Sequence, residues 1–214
     1  MKTAIIIPAR YASSRLPAKP LLRETGKYLI QHVYERACES NAAIAIVATD
    51  DQRIFDAVNS FGGNVVMTRD DHVSGTDRVA EVAEKLDADI IVNLQGDEPM
   101  IEAATLDLVA RLLEDDRAAM MATLAVPIAS LEQWRDPNCV KLVCDNVGRA
   151  LYFSRSPIPY VRDGEPDFAR GRFLQHLGLY AYRREFLLKL AQLPPGPLEM
   201  TEKQIGRASC RERV

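Results

Sequence analysis

Three cations, Arg10, Arg15 and Lys19, leave the apolar run Ile5, Ile6, Ile7 in quick succession in "IIIPARYASSRLPAKP". Neither G-x-x-x-x-G-K-[ST] nor G-x-G-x-x-G occurs in the chain, so the glycine-rich cradles for triphosphates and dinucleotides are missing. Side-chain cations could neutralise a triphosphate in their place, through charge-assisted hydrogen bonds to its oxygens. By charge count alone such a loop is more often a solvated surface. Its position just past an apolar strand points to a site instead. In "VNLQGDEP", Asp97 follows Gly96 at another strand end. A carboxylate there, with water and phosphate oxygens, is the usual way to hold Mg²⁺, and a plain turn cap is the competing reading. Glu98 is assigned a structural role. In "MTRDDHVSGTDR", Ser74, Gly75 and Thr76 are suited to capping a helix. Arg78, one turn on, and Gln95 offer donors and an acceptor that could read the edge of a base. His72 is either a catalytic candidate or an ordinary loop histidine.

Elements must bring these loops together. "TAIIIPA", "AAIAIVATD", "NVVMT" and "IIVNLQGDEP" read as strands, the longer ones apolar throughout. Between them lie helical stripes: Leu29, Ile30, Val33 and Ala37; Ile54, Phe55, Val58 and Phe61, stopped at Gly62 and Gly63; and Val79, Val82, Ala83 and Leu86. Apolar strands separated by helices predict a parallel sheet covered on both faces. After the helix in "AATLDLVARLLEDD", the segments "MMATLAVPI", "CVKLVCD", "RALYFSRSPIPY" and "FLQHLGLYAYRR" read as antiparallel additions. Residues 157–172, rich in proline, glycine and charge, read as a loop or arm. In such sheets the ligand crevice lies outside the carboxyl ends of the parallel strands. Residues 10–19, 50–51, 69–78 and 95–99 would line it.

Composition narrows the function further. With 27 basic and 30 acidic residues among 214, there is no basic field for a nucleic acid polymer or an anionic membrane. No segment approaches the ~18 consecutive apolar residues of a membrane span, and the first residues lack a signal-peptide core. A cytoplasmic protein is expected. Its four cysteines show no C-x-x-C pair, which predicts reduced, mostly buried thiols.

The blocks "IPARYASSRLPAKPL", "VATDD", "MTRDDHVSGTDR", "VNLQGDEPMI", "MATLAVPI", "ALYFSRSPIPY" and "HLGLYAYRREFL" resemble, in order, the 3-deoxy-manno-octulosonate (KDO) cytidylyltransferases. The resemblance runs from Thr3 to about Lys203. It implies a three-layer α/β fold like that of nucleotide-diphospho-sugar transferases, with a mixed, mostly parallel sheet and helices on both faces. It also implies transfer of a cytidylyl group from CTP to KDO for lipopolysaccharide synthesis, with Mg²⁺ and as a homodimer. Arg10, Ser13, Arg15 and Lys19 would meet the phosphates. Ser74, Gly75, Arg78 and Gln95 would lie against cytosine, Asp97 would hold the metal, and Arg155, His176 and Tyr180 would bind KDO. For Tyr180, strand alternation also allows a place on the outer face. The 157–172 arm would lie near the dimer contact. Ala18 stands where the family's R-L-P-G-K-P loop commonly has glycine. Alternatives are a cytidylyltransferase for another sugar acid, such as sialic acid, and a CTP-binding protein without catalysis.

Near "PLEMTEK" the resemblance stops. The closing "QIGRASCRERV" has no hydrophobic period and matches one frame of a sequencing adapter. The expectation is therefore a cytidylyltransferase domain over residues 1–204 and a non-native tail over 205–214. That domain would lack the family's final strand and helix and its second metal carboxylate, and would be unstable or inactive as written.

Overall fold

A computed structural model describes residues 1–12 and 16–202, in two compact units. The first comprises Met1–Ala122 and Leu179–Gln192 and the second Thr123–Gly178 and the described residues from Leu193 on; the tail expected over 205–214 lies outside the described residues.

In the first unit the chain runs β1 (Thr3–Ala9), α1 (Leu29–Cys38), β2 (Ile44–Thr49), α2 (Gln52–Ser60), β3 (Val65–Met67), α3 (Gly75–Glu84), β4 (Ile90–Asn93) and α4 (Ala103–Asp115). Strand β5 (Met121–Pro127) leads into the second unit, with α5 (Leu131–Arg135), β6 (Lys141–Cys144) and β7 (Ala150–Ser154). Strand β8 (Leu174–Arg183) leads back to α6 (Arg184–Ala191), and α7 (Pro197–Glu202) belongs again to the second unit.

The parallel order is β3-β2-β1-β4, and the second half of β8 pairs antiparallel with β4, from Ile90 opposite Arg183 to Asn93 opposite Tyr180. Residues Ala4 to Ile7 and all of β4 are buried, as a sheet covered on both faces requires. Right-handed crossovers put α1 and α2, which step outward from β1 to β3, on one face, and α3, which steps back to β4, on the other. Accordingly α4 packs on α1, and α6 packs on α3. The strand order reverses between β1 and β4, so their carboxyl ends border the natural crevice.

In the second unit β6 pairs antiparallel with β7 and with the first half of β8. Its core gathers Ile128, Trp134, Cys139 and Phe173. Residues 157–172 form no strand and no α-helix and are docked. Val161 and Phe168 pack on that core, and the Trp134 indole N–H donates to the Ile158 carbonyl at 3.0 Å. The expectation of mostly buried thiols is corrected in part: Cys139 is buried, Cys144 half-buried and Cys38 exposed. No described helix is long and apolar enough to cross a membrane.

One backbone conformation bears on the basic loop. Ala18 has φ 59° and ψ 15°, the left-handed region, and its N–H donates to the Tyr11 carbonyl at 2.9 Å. A Cβ in that region crowds the following carbonyl at a cost of roughly 1–2 kcal/mol, which glycine avoids while losing more entropy on folding. Ala18→Gly is therefore expected to stabilise the chain by about 1 kcal/mol in urea unfolding. A midpoint that stays the same or falls would show that position 18 carries no strain.

Candidate functional site

Pro8, near the end of β1, organises the site of the first unit. A Cβ on Gly96 would come within 3.1 Å of the Pro8 carbonyl oxygen, a backbone atom with little room to yield. Glycine is needed there so that the turn after β4 can pass close to β1. A Cβ on Gly75, the first residue of α3, would stand 3.6 Å from the Pro8 ring. The ends of β1 and β4 and the start of α3 thus approach one another around one proline.

The close turn after β4 sets Asp97 beside the basic loop. The Lys19 ammonium donates to Asp97 Oδ2 at 2.7 Å, and both side chains are partly exposed. Pro20, next to Lys19, is buried and fixes the short 3-10 turn on which Lys19 stands. Partial desolvation and the neighbouring Asp97 carboxylate raise the Glu98 pKa, against the pull of Lys19. Arg10 donates to the His72 carbonyl, which joins the basic loop to the segment before α3. Ser13 and Arg15 lie outside the described residues.

Ser74 caps α3 as expected. Its hydroxyl accepts from the Asp77 N–H at 3.2 Å, and Asp77 Oδ2 accepts from the Ser74 N–H at 3.1 Å, a reciprocal capping box. Gln95 sits half-buried between β4 and the Gly96 turn. His72 is buried, and its imidazole bonds the Glu81 carboxylate on α3. Burial works against that carboxylate, yet the His72 bond and the Arg69 N–H hold its pKa below the ordinary value. His72 therefore serves the architecture of the loop.

Arg78 corrects the reading that it faces a base edge. Its side chain is 0 % exposed, with one guanidinium nitrogen on Thr68 and another on Asp50. It ties the loops after β2 and β3 to α3 from beneath. The signal was available in sequence, since position 78 is one turn before Val82 on the buried stripe. Sequence reasoning also missed an outer cluster. Asp51 caps α2 through the Arg53 N–H at 2.9 Å and pairs with its guanidinium, which lies 3.3 Å from the centre of the Tyr11 ring.

The residues implied for KDO are placed as follows. In the second unit, Arg155 donates from Nε to the Glu202 carbonyl at 3.1 Å and from a terminal nitrogen to the Pro137 carbonyl at 2.7 Å. Glu202 also accepts from the Ser154 hydroxyl at 2.7 Å and the Arg155 N–H at 3.1 Å, bonds that lower its pKa. His176 is buried, its Nε2 lies 2.9 Å from the Thr123 hydroxyl, and its ring meets Phe153 edge-on. Tyr180, in the first unit, corrects the outer-face alternative. It is 6 % exposed and stacks on Tyr182.

Burial lowers the His176 pKa from 6.5 to about 4. The folded chain then resists a proton that the unfolded chain accepts, so the contribution is intact above pH 6.5 and lost as pH falls toward 4. At roughly 1.4 kcal/mol per pKa unit, the loss reaches on the order of 3 kcal/mol. Urea unfolding at pH 7 and pH 4.5 is expected to show a steeper decline for the natural chain than for His176→Gln. Equal declines would mean that the imidazole is not held neutral.

No cluster of three or more metal-ligating side chains exists among the described residues. The donor set at Asp97 nevertheless fits Mg²⁺, which is commonly held by one or two carboxylates with waters and substrate phosphates. A partly exposed carboxylate beside a lysine, at the carboxyl ends of β1 and β4, suits an ion that arrives with a phosphate chain.

Comparison with known proteins agrees with this geometry. A sequence model of the cytidylyltransferase family matches residues 4–211. A 3-deoxy-manno-octulosonate cytidylyltransferase of Geobacter metallireducens is 52% identical over 211 residues, covering 95% of this chain and 83% of the relative. That of Escherichia coli is 51% identical over 202 residues, covering 94% and 80%. A solved structure of CMP:2-keto-3-deoxy-manno-octonic acid synthetase complexed with CTP superposes with a TM-score of 0.88 at 50% identity, over 95% of this chain and 83% of that one. A 4-diphosphocytidyl-2C-methyl-D-erythritol synthase from Anaerococcus prevotii shares the fold at 13% identity, with a TM-score of 0.57. The chain belongs to the 3-deoxy-manno-octulosonate cytidylyltransferase family.

Proposed function

We propose that this protein transfers a cytidylyl group from CTP to KDO, giving CMP-KDO and pyrophosphate, and so activates the sugar acid for lipopolysaccharide synthesis. The observation that carries the reading is the Lys19–Asp97 pair at the carboxyl ends of β1 and β4, where the strand order reverses. On this reading the cation would meet phosphate and the carboxylate would hold the metal. The anomeric hydroxyl of KDO attacks the α-phosphorus in line, the bond to the β-phosphate oxygen breaks, and pyrophosphate leaves. Lys19 and Arg10, with Ser13 and Arg15 of the same loop, bind and orient the triphosphate and offset charge on the leaving group. Asp97 would hold Mg²⁺, which when bound would supply Lewis-acid stabilisation of the phosphate oxygens.

Ser74, Gly75 and Gln95 border the cytosine, and Arg78 shapes that border from below without touching the base. Arg155, half-buried, is the cation proposed for the KDO carboxylate. His176 of the second unit and Tyr180 of the first are each proposed for KDO on the family resemblance. We place the enzyme in the cytoplasm, in keeping with its nucleotide substrate, and as a homodimer. Tyr160, 85% exposed on the 157–172 segment, supports a partner there.

The test is pyrophosphate release from the purified chain with CTP and KDO, with and without Mg²⁺, beside an arm with sialic acid. Release only with KDO and Mg²⁺ is what the proposal requires, and it would overturn the sequence-based expectation that the chain is inactive as written. Release with sialic acid instead would reassign the substrate. Mg²⁺-dependent CTP binding that disappears in Asp97→Asn would support the metal assignment. CTP binding indifferent to both would leave only a nucleotide-binding protein.

A further inference from the structure

We propose that Arg53 is a positioning residue of the phosphate loop, clamping Tyr11 and thereby the end from which the loop departs. The proposal rests on the reading of that loop as the triphosphate site. Arg53 is on the first turn of α2, 59% exposed, where sequence gives it no task beyond solubility.

The structure gives it two partners at once. Its Nε donates to Asp51 Oδ1 at 2.9 Å and a terminal nitrogen donates to Asp51 Oδ2 at 2.6 Å, a two-bond fork. The same guanidinium plane lies on Tyr11, 3.3 Å from the ring centre, within the range of a cation–π contact.

Asp51 is a firm anchor. Its side chain is 17% exposed, it caps α2, and its N–H donates to the Thr49 hydroxyl at 3.2 Å at the buried end of β2. The Asp51 pKa is lowered by its bonds to the Arg53 side chain, against burial, so it stays ionised.

At the other end, Tyr11 follows Arg10 directly, and its carbonyl closes the loop by accepting the Ala18 N–H. The ring is therefore gripped from α2 while the backbone ties the loop's departure to its return. Tyr11 and Ala18 are thus tied to each other at 2.9 Å. Lysine cannot replace the arginine, because an ammonium cannot both fork to a carboxylate and lie flat on a ring.

The experiment compares Arg53→Ala, Arg53→Lys, Tyr11→Leu, Tyr11→Phe and the double variant Arg53→Ala/Tyr11→Leu. Hydrogen exchange at the Ala18 amide is read without substrate, CTP affinity by calorimetry, and thermal midpoint as a control. Both Arg53 variants and Tyr11→Leu are expected to speed exchange and weaken CTP binding about tenfold, a modest share of what ångström-scale misplacement can cost. The double variant should lose no more than either single one. Tyr11→Phe, which keeps the ring, should behave as the natural chain does, and all midpoints should stay alike.

Exchange unchanged in the single variants would overturn the clamp itself. Faster exchange with unchanged CTP affinity would overturn the positioning role. A natural chain that fails to release pyrophosphate from CTP and KDO would instead refute the proposed function, leaving the exchange result to stand by itself.

Discussion

Replacing Lys19 with alanine lowers pyrophosphate release from CTP and KDO by about 10²–10³-fold, the usual loss on removing one preorganised donor from a transition state. The side chain is 37% exposed and its described partner, Asp97, is more accessible still, so its removal takes little from the fold. An exposed ion pair of this kind contributes about 0–1 kcal/mol. The thermal midpoint should therefore stay near that of the natural chain while turnover collapses. That contrast distinguishes a group acting on phosphate from one that maintains structure. Lys19→Arg should recover part of the rate, since it keeps the charge but changes where it sits. Near-normal CMP-KDO formation by Lys19→Ala would remove the basic loop from the mechanism.

Arg78→Met has the opposite profile. Its guanidinium is fully buried and joins Asp50 and Thr68, so the substitution leaves an aspartate of only 18% exposure without its counter-charge. Breaking one side of such a pair typically costs about 3–5 kcal/mol, because the remaining charge stays out of water. Urea unfolding should show a loss of that size. Arg78→Met/Asp50→Asn should regain a large part of it, since the stranded charge is gone. If the single variant unfolds like the natural chain, the guanidinium is not bracing the loops after β2 and β3.

These two residues show how far sequence could be read. The positions of β1 to β4 and α1 to α4 were legible because apolar runs and helical stripes recur with the right periods, and Lys19 and Asp97 stood out at strand ends. Helices α5, α6 and α7 were not anticipated. They run five, eight and six residues, too short for a stripe to declare itself. Arg78 was assigned to a base because charge was weighed above helical phase, and its place beside Val79 on the α3 stripe pointed inward. The pairing of Tyr11 with Arg53 had no local signature at all. Two segments far apart in sequence meet only through the order of β1 and β2.

The adjacent aspartates after β2 carry a lesson for anyone scanning this chain by substitution. Asp50 pairs with the fully buried Arg78 and Asp51 with the exposed Arg53. A library screened for soluble expression should therefore reject most replacements at the first and pass many at the second, whereas a screen for nucleotide affinity would notice the second. Two identical neighbouring letters belong to different classes of tolerance, one guarded by folding and the other by the loop it steadies.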